Sequence, residues 1–184
     1  NRSILADPRS PDMKDLINEK VKHRQWFRPF APSILRESVT DWFYKDVDSP
    51  YMTTVLKWRD EVKDKVPAVV HLDGTARLQT VTENDNSWYY NFIKKFSKKT
   101  DVPIVLNTSF NVAGQPIVET PEEAIETFLK TDIDYIVIDN FWISKKNSKV
   151  LDYSEHLDKI YHSPVPKGLS KIISNVKNEM ELLD

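Results

Sequence analysis

Between residues 103 and 111 the chain reads Pro103–Ile104–Val105–Leu106–Asn107–Thr108–Ser109–Phe110–Asn111, an apolar run leading into polar side chains interrupted only by Phe110. Asn107, Ser109 and Asn111 offer amide and hydroxyl groups that can orient an amide or a phosphate oxygen. Lys22, Arg24 and Arg28 lie around one segment of the chain and Arg77 in another. Arginine meets two phosphate oxygens with a planar fork, and lysine adds a compact charge. Brought together by folding, these residues make a site for a compact phosphate-containing ligand. Each also has a plainer reading. Lys22 and Arg24 taken alone suit an exposed helix end, Arg77 could pair with Asp73, and Asn107 and Ser109 could cap a loop. Arg28 is harder to dismiss, because its neighbours Phe27 and Pro29 are expected to be held against the body. His71 and Asp73 have the chemistry of a metal or proton-transfer pair. His-x-Asp alone is weak evidence, so a structural histidine is the reading and no metal is assigned.

The elements that must position these groups follow from periodicity. The apolar run before Asn107 reads as a buried strand, and its polar end resembles the ligand sites at the carboxyl ends of strands in open α/β sheets. A polar loop follows. Thr120, Pro121 and Glu123 then supply an N-cap, a first-turn proline and an acidic third residue. Ile125, Phe128 and Leu129 mark the buried face of that helix, and Tyr135–Ile136–Val137–Ile138 reads as the next strand, a β–loop–α–β unit. Upstream, Ser10–Pro11–Asp12 opens a helix with Met13, Leu16, Ile17 and Val21 on one side and Lys20, Lys22, His23 and Arg24 ending its polar face. Pro29 and Pro32 make residues 26–33 extended, with Trp26, Phe27 and Phe30 fixing them to the core. Residues 51–56 and 67–71 read as strands, Asp73–Gly74 as a turn, and residues 76–81 as another extended segment. Trp88, Phe92 and Phe96, beside Tyr89 and Ile93, mark an amphipathic helix. Its closing Lys94, Lys95, Lys98 and Lys99 are solvated partners of the helix dipole. After Trp142 the composition turns polar, and Leu169, Ile172, Ile173, Val176, Met180 and Leu183 mark one face of a terminal helix.

Composition bounds the function. The chain has 184 residues, is 40% hydrophobic and carries a formal charge of -2, so any anion site must be local rather than a basic face. No cysteine is present, which excludes disulfides, thiolate catalysis and cysteine-bound metals. There are only three glycines and no G-x-x-x-x-G-K-[ST] run, so ATP chemistry would need something other than a P-loop. No segment approaches the roughly 20 apolar residues of a membrane span. No leader is evident, and a cytoplasmic location is expected. The opening Asn1–Arg2–Ser3–Ile4–Leu5, without an initiating methionine, suggests a fragment of a longer polypeptide.

Four ordered motifs resemble one family closely. Arg2–Ser3–Ile4–Leu5–Ala6–Asp7–Pro8–Arg9 is similar to its R-S-I-L-A-D-P-R segment. Lys22-x-Arg24 and Phe27–Arg28–Pro29–Phe30–Ala31–Pro32–Ser33 resemble its K-x-R and F-R-P-F-A-P-S. His71-x-Asp73–Gly74–Thr75–Ala76–Arg77-x-Gln79–Thr80–Val81 resembles H-x-D-G-T-A-R-x-Q-T-V. Leu106–Asn107–Thr108–Ser109–Phe110–Asn111-x-x-Gly114-x-Pro116–Ile117–Val118 resembles L-N-T-S-F-N-x-x-G-x-P-I-V. These mark the C-terminal domain of the NodU/CmcH-type O-carbamoyltransferases, with the match running to about Ile143.

The resemblance implies an α/β, YrdC-like domain over residues 1–143, with a twisted open mixed sheet flanked by helices, and a helical extension over 144–184. It implies that carbamoyl phosphate and ATP–Mg, the latter as co-substrate, form carbamoyl adenylate. An N-terminal domain of the actin-like ATPase superfamily in the same polypeptide, absent here with its metal centre, would pass the carbamoyl group to an acceptor hydroxyl. Lys22, Arg28 and Arg77 are expected to hold phosphates and to carry the catalytic role. Arg24, His71, Asn107, Ser109 and Asn111 complete the expected substrate site, with Asn107 and Ser109 orienting carbamoyl and nucleotide groups. Two other readings compete: a threonylcarbamoyl-adenylate-forming tRNA-modification enzyme, and a YrdC-like module that binds nucleotide or RNA without turnover. Near-neutral charge weighs against nucleic acid as a partner.

Overall fold

The computed structural model describes residues 1–139, 141–144 and 150–152, which fall in two units, Asn1–Phe110 and Asn111–Asp184. The first unit is built on a five-stranded mixed sheet. Its strands are β1 (Ser3–Ala6), β2 (Ala31–Leu35), β3 (Thr54–Lys57), β4 (Thr75–Val81) and β5 (Ile104–Ser109), in the order β1–β5–β2–β4–β3. β2 and β4 run parallel, whereas β5 is antiparallel to both β1 and β2, and β3 is antiparallel to β4. β5 is central, and Ile104, Val105 and Leu106 are all buried. A strand covered on both faces reads as a continuous apolar run, which is the pattern seen there. The α/β class and the mixed sheet flanked by helices are as expected.

Three α-helices accompany this sheet: α1 (Met13–Ile17), the single turn α2 (Val39–Trp42) and α3 (Ser87–Thr100). The Asn86 side chain caps α3 by accepting the Tyr89 N–H at 2.9 Å. Tyr89, Tyr90 and Ile93 of α3 pack with Leu35, Val81 and Val105 of the sheet, and Phe92 and Phe96 flank that contact. Trp88 stays partly exposed and stacks on Phe92 at 5.6 Å.

Three local expectations need correction. Residues 67–69 form a tight helical turn rather than a strand, with the Ala68 N–H donating to Pro8 O at 3.2 Å. Pro67 suits the start of a turn, and a short apolar run does not by itself distinguish a buried turn from a buried strand. The strand expected from Tyr51 begins only at Thr54, because Met52 has a positive φ of 58° and belongs to a turn. Of the three aromatics expected to fix residues 26–33 to the core, only Phe30 is buried. Trp26 and Phe27 are 69% and 57% exposed and pack edge-on against each other at 6.1 Å.

The second unit holds α4 (Pro121–Lys130) and a three-stranded antiparallel sheet of β6 (Tyr135–Ile138), β7 (Phe141–Ser144) and β8 (Val150–Asp152). α4 begins as its sequence requires. Thr120 Oγ1 accepts the Glu123 N–H at 3.2 Å, and Glu123 Oε2 accepts the Glu119 N–H at 2.7 Å. The β–loop–α–β segment is not, however, a crossover within one sheet: β6 pairs with β7, its neighbour in sequence. Local pairing of adjacent strands is not visible in their periodicity. The terminal helix expected around Leu169–Leu183 lies outside the described residues, as does most of the segment after Ser144. Among the described residues no helix is long and apolar enough to cross a membrane.

Candidate anion-binding site

One face of the five-stranded sheet changes character along its strands. Side chains two apart share a face, so Leu35 with Ser33, Val81 with Gln79 and Arg77, and Val105 with Asn107 and Ser109 all line the same side. The apolar members lie against α3. The middle is a buried polar network. Ser33 Oγ donates to Gln79 Oε1 at 2.7 Å, while Asn107 Nδ2 donates to Ser33 Oγ at 3.0 Å and to Gln79 Oε1 at 2.9 Å. Tyr89 is buried beneath, and burial pushes its phenol up from its ordinary range. Beyond this network the face opens into a cleft of about 510 Å3 whose lining includes Arg77, Gln79, Asn107 and Ser109. The cleft lies at the carboxyl end of β5, as expected, but at the amino ends of β2 and β4. Antiparallel pairing of β5 with β2 brings those opposite ends together.

Arg2, Arg24 and Arg28 line the same cleft, and no carboxylate is among its lining residues. Elsewhere arginines are paired: Arg9 with Asp7, Arg36 with Asp46 and Asp48, and Arg59 with Glu61. Among the described residues no ion pair involves Arg24, Arg28 or Arg77, and Asp73 instead accepts from the Thr75 hydroxyl and N–H. A chain of net charge -2 thus gathers four guanidinium groups around one opening. Such a cluster favours a ligand carrying several anionic oxygens.

The loop carrying Arg24 and Arg28 is held by Asn18. After α1 the helix widens into one π-type turn, Asn18–Lys22, in which Asn18 O accepts the His23 N–H. It also accepts the Arg24 N–H at 3.1 Å. Asn18 is 1% exposed. Its Oδ1 accepts from Arg24 Nε at 2.7 Å, and its Nδ2 donates to Trp26 O and Arg28 O. The Arg24 guanidinium lies over the Phe30 ring at 4.5 Å. Single π turns are rare and recur at functional sites.

The same turn changes the surroundings of Lys22. With five residues closing the turn, Lys22 returns beneath Ile17 on the buried side instead of continuing the polar face. It is 3% exposed, and its Nζ donates to Ser109 O at 2.7 Å and to Ser109 Oγ at 3.3 Å. The exposed helix end considered for Lys22 is therefore not what forms. Burial, and then the nearby Arg24 and Arg28, lower its pKa to about 8. Burial and Arg28 likewise lower that of Arg24.

Of the residues singled out by sequence, Arg24, Arg28, Arg77, Asn107 and Ser109 share the cleft, and Lys22 reaches it through Ser109. Arg28 stands on an exposed loop, and both Phe27 and Pro29 beside it are exposed rather than packed on the body. His71 lies outside the cleft lining, in the turn that starts β4. Its N–H donates to Thr75 O at 2.8 Å, its Nδ1 is 3.2 Å from Thr75 Oγ1, and burial lowers its pKa. Asn111 belongs to the second unit, where its Nδ2 donates to Gln115 O at 2.8 Å. Residues not singled out also take part. Gln79 could have been found by strand alternation, two residues beyond Arg77. Arg2 follows from the pairing of β1 with β5, and Asn18 had no signal beyond interrupting an apolar helix face.

The fold and the cleft define an α/β domain with an arginine-lined cleft backed by a buried amide network. Over residues 1–145 the chain matches the family model described as carbamoyltransferase C-terminus, and it belongs to that family. It is 47% identical over 158 residues to nodulation protein NolNO of Sinorhizobium fredii, covering 84% of this chain and 23% of that protein. It is 45% identical over 157 residues to nodulation protein NolO of Bradyrhizobium diazoefficiens, covering 84% and 29% respectively. Against nodulation protein U of Rhizobium tropici the identity is 46% over 114 residues, covering 62% of this chain and 20% of that protein. The chain thus spans less than a third of the length of these relatives.

Proposed function

We propose that this chain is the carbamoyl-activating part of an O-carbamoyltransferase. The observation that carries this reading is the cleft of four arginines with no lining carboxylate, backed by the Asn107–Ser33–Gln79 network. Carbamoyl phosphate and ATP bind there. Water cleaves the carbamoyl–phosphate link, phosphate leaves, and an oxygen of the resulting carbamate attacks the α-phosphorus of ATP. Carbamoyl adenylate forms as pyrophosphate departs. Arg28 and Arg77 neutralise phosphate oxygens and Asn107 and Ser109 orient the carbamoyl and nucleotide groups, so the contribution is positioning and charge stabilisation. Lacking lining carboxylates, the cleft suits a magnesium ion carried in on the nucleotide's own phosphates. Transfer to an acceptor hydroxyl falls to a further domain of the same polypeptide. The decisive experiment measures pyrophosphate release from ATP–Mg with the purified protein. Release that requires carbamoyl phosphate is expected. Binding without release would make this a non-catalytic module, and release requiring bicarbonate and threonine would make it a threonylcarbamoyl-adenylate enzyme.

Lys22 makes a pH prediction in this reading. A bound phosphate favours its charged form and raises its pKa from about 8. Below that value the lysine is already protonated and affinity is insensitive to its titration. Above it the free protein must take up a proton on binding, so affinity falls as pH rises from 7.5 to 9.5. Calorimetry at pH 8.5 in two buffers of different ionisation enthalpy reports this uptake, and Lys22→Met abolishes it. Identical heats in both buffers for the unsubstituted protein would remove Lys22 from the linkage.

A further inference from the structure

The exposed aromatic side chains of the described residues nearly all have a ring partner. Trp26 packs on Phe27 and lies under Lys14, Tyr44 lies under Arg59, Trp88 stacks on Phe92, and Tyr135 packs on Trp142. Tyr51 is the exception: it is 85% exposed, has no aromatic or cationic ring partner, and lines the arginine cleft. Single exposed aromatics are common on protein surfaces; what distinguishes Tyr51 is its place in the lining of a cleft that also holds four arginines.

The turn that presents Tyr51 is well anchored. Ser49 is fully buried, with its N–H donating to Thr80 Oγ1 at 2.9 Å and its hydroxyl to Leu78 O at 3.1 Å. Pro50 O accepts from Gln79 Nε2 at 3.0 Å. Met52 follows with φ of 58°, a conformation that is uncommon outside glycine and clusters at functional sites. Gln79 therefore ties this turn to the polar network through its Nε2 and takes part in that network through its Oε1. A cleft of about 510 Å3 is in the range that holds a drug-sized ligand. One part of its lining is cationic and another is a flat apolar ring on a fixed support.

We propose that Tyr51, which lines the cleft with Met52, is the stacking platform for the nucleobase of a nucleotide whose phosphates meet the cleft arginines. This rests on the phosphate-site reading above and deepens it by assigning the group that recognises the base. Every nucleobase presents a π-face, so the platform provides affinity for a base without choosing strongly among bases. Met52 adds a polarisable thioether that tolerates different ring edges.

The test compares ATP with inorganic tripolyphosphate, which has the phosphates but no base, by calorimetry on the full chain. Tyr51→Ala is expected to weaken ATP binding on the order of ten- to a hundred-fold and to leave tripolyphosphate affinity unchanged. Tyr51→Phe retains ATP binding, because the ring and not the hydroxyl stacks. Unchanged ATP affinity in Tyr51→Ala would overturn the platform while the phosphate site stands. An equal loss for both ligands would overturn it too, as a structural effect of the turn. If the unsubstituted protein binds neither ligand, the phosphate-site reading fails and the platform fails with it.

Discussion

Replacing Arg77 by alanine is expected to weaken carbamoyl phosphate binding by about ten- to a hundred-fold, the usual worth of a charge-assisted hydrogen bond to an anion. Arg77→Lys should lose roughly ten-fold, because it keeps the charge but not the planar two-pronged donor. The same range applies to Arg28→Ala, and the double substitution should bring binding below detection. Stability should scarcely move. Arg77 is exposed on β4, and Arg28 is exposed on a loop where its backbone carbonyl, not its guanidinium, accepts from Asn18 Nδ2. Exposed positions without such partners usually change stability by less than about 0.5 kcal/mol. Arg59→Ala is the control, since Arg59 bonds to Thr40 O and pairs with Glu61 away from the cleft lining. Calorimetric titration with carbamoyl phosphate checks the set. Full affinity in Arg77→Ala would take Arg77 out of the site.

Asn107→Asp is expected to be the more damaging of two changes at the centre of the network, although it preserves shape. Asn107→Ala removes two donated bonds and leaves a small void, at a cost of about 2–3 kcal/mol. Aspartate is acceptor-only when ionised, so it places charge against Gln79 Oε1 in a buried position and costs about 3–5 kcal/mol. The exposed arginines supply no donor inside this network. Burial raises the folded-state pKa of that carboxyl above its unfolded value. The penalty is therefore complete above the folded value and fades as pH falls through it, when the protonated acid can donate one bond again. Urea unfolding at pH 7.5 and at pH 5.5 measures both effects. An Asp variant as stable as the parent at pH 7.5 would show that the amide protons of Asn107 are not needed.

How much of this was legible in sequence can be judged residue by residue. α4 was plain, because Thr120, Pro121 and Glu123 satisfy their own first turn and need nothing distant. β5 was equally plain, since its apolar run records burial directly; on α3 the fourfold spacing of Trp88, Phe92 and Phe96 revealed the helix, but its fully buried side is Tyr89, Tyr90 and Ile93, with Trp88 exposed. Arg24, Arg28, Arg77, Asn107 and Ser109 of the cleft were identifiable by chemical type and by the motifs they stand in, whereas Arg2 and Gln79 were not singled out. Other features depended on partners far along the chain. Antiparallel pairing of β5 with β2 joins Ala31 to Asn107 and so puts the amino end of one strand beside the carboxyl end of another. No local pattern encodes which strand a strand will pair with. The π turn is similar: one extra residue in a single helical turn takes Lys22 from the solvated face to the Ser109 carbonyl and lowers its pKa to about 8. Tyr51 looked like the start of a strand until the turn at Met52 left its ring open on the cleft. The sequence by itself determined those local elements whose signals are self-contained, the family and the chemical types available for an anion. Only the tertiary structure decided which of them meet, because that choice rests on pairing and packing between segments tens of residues apart.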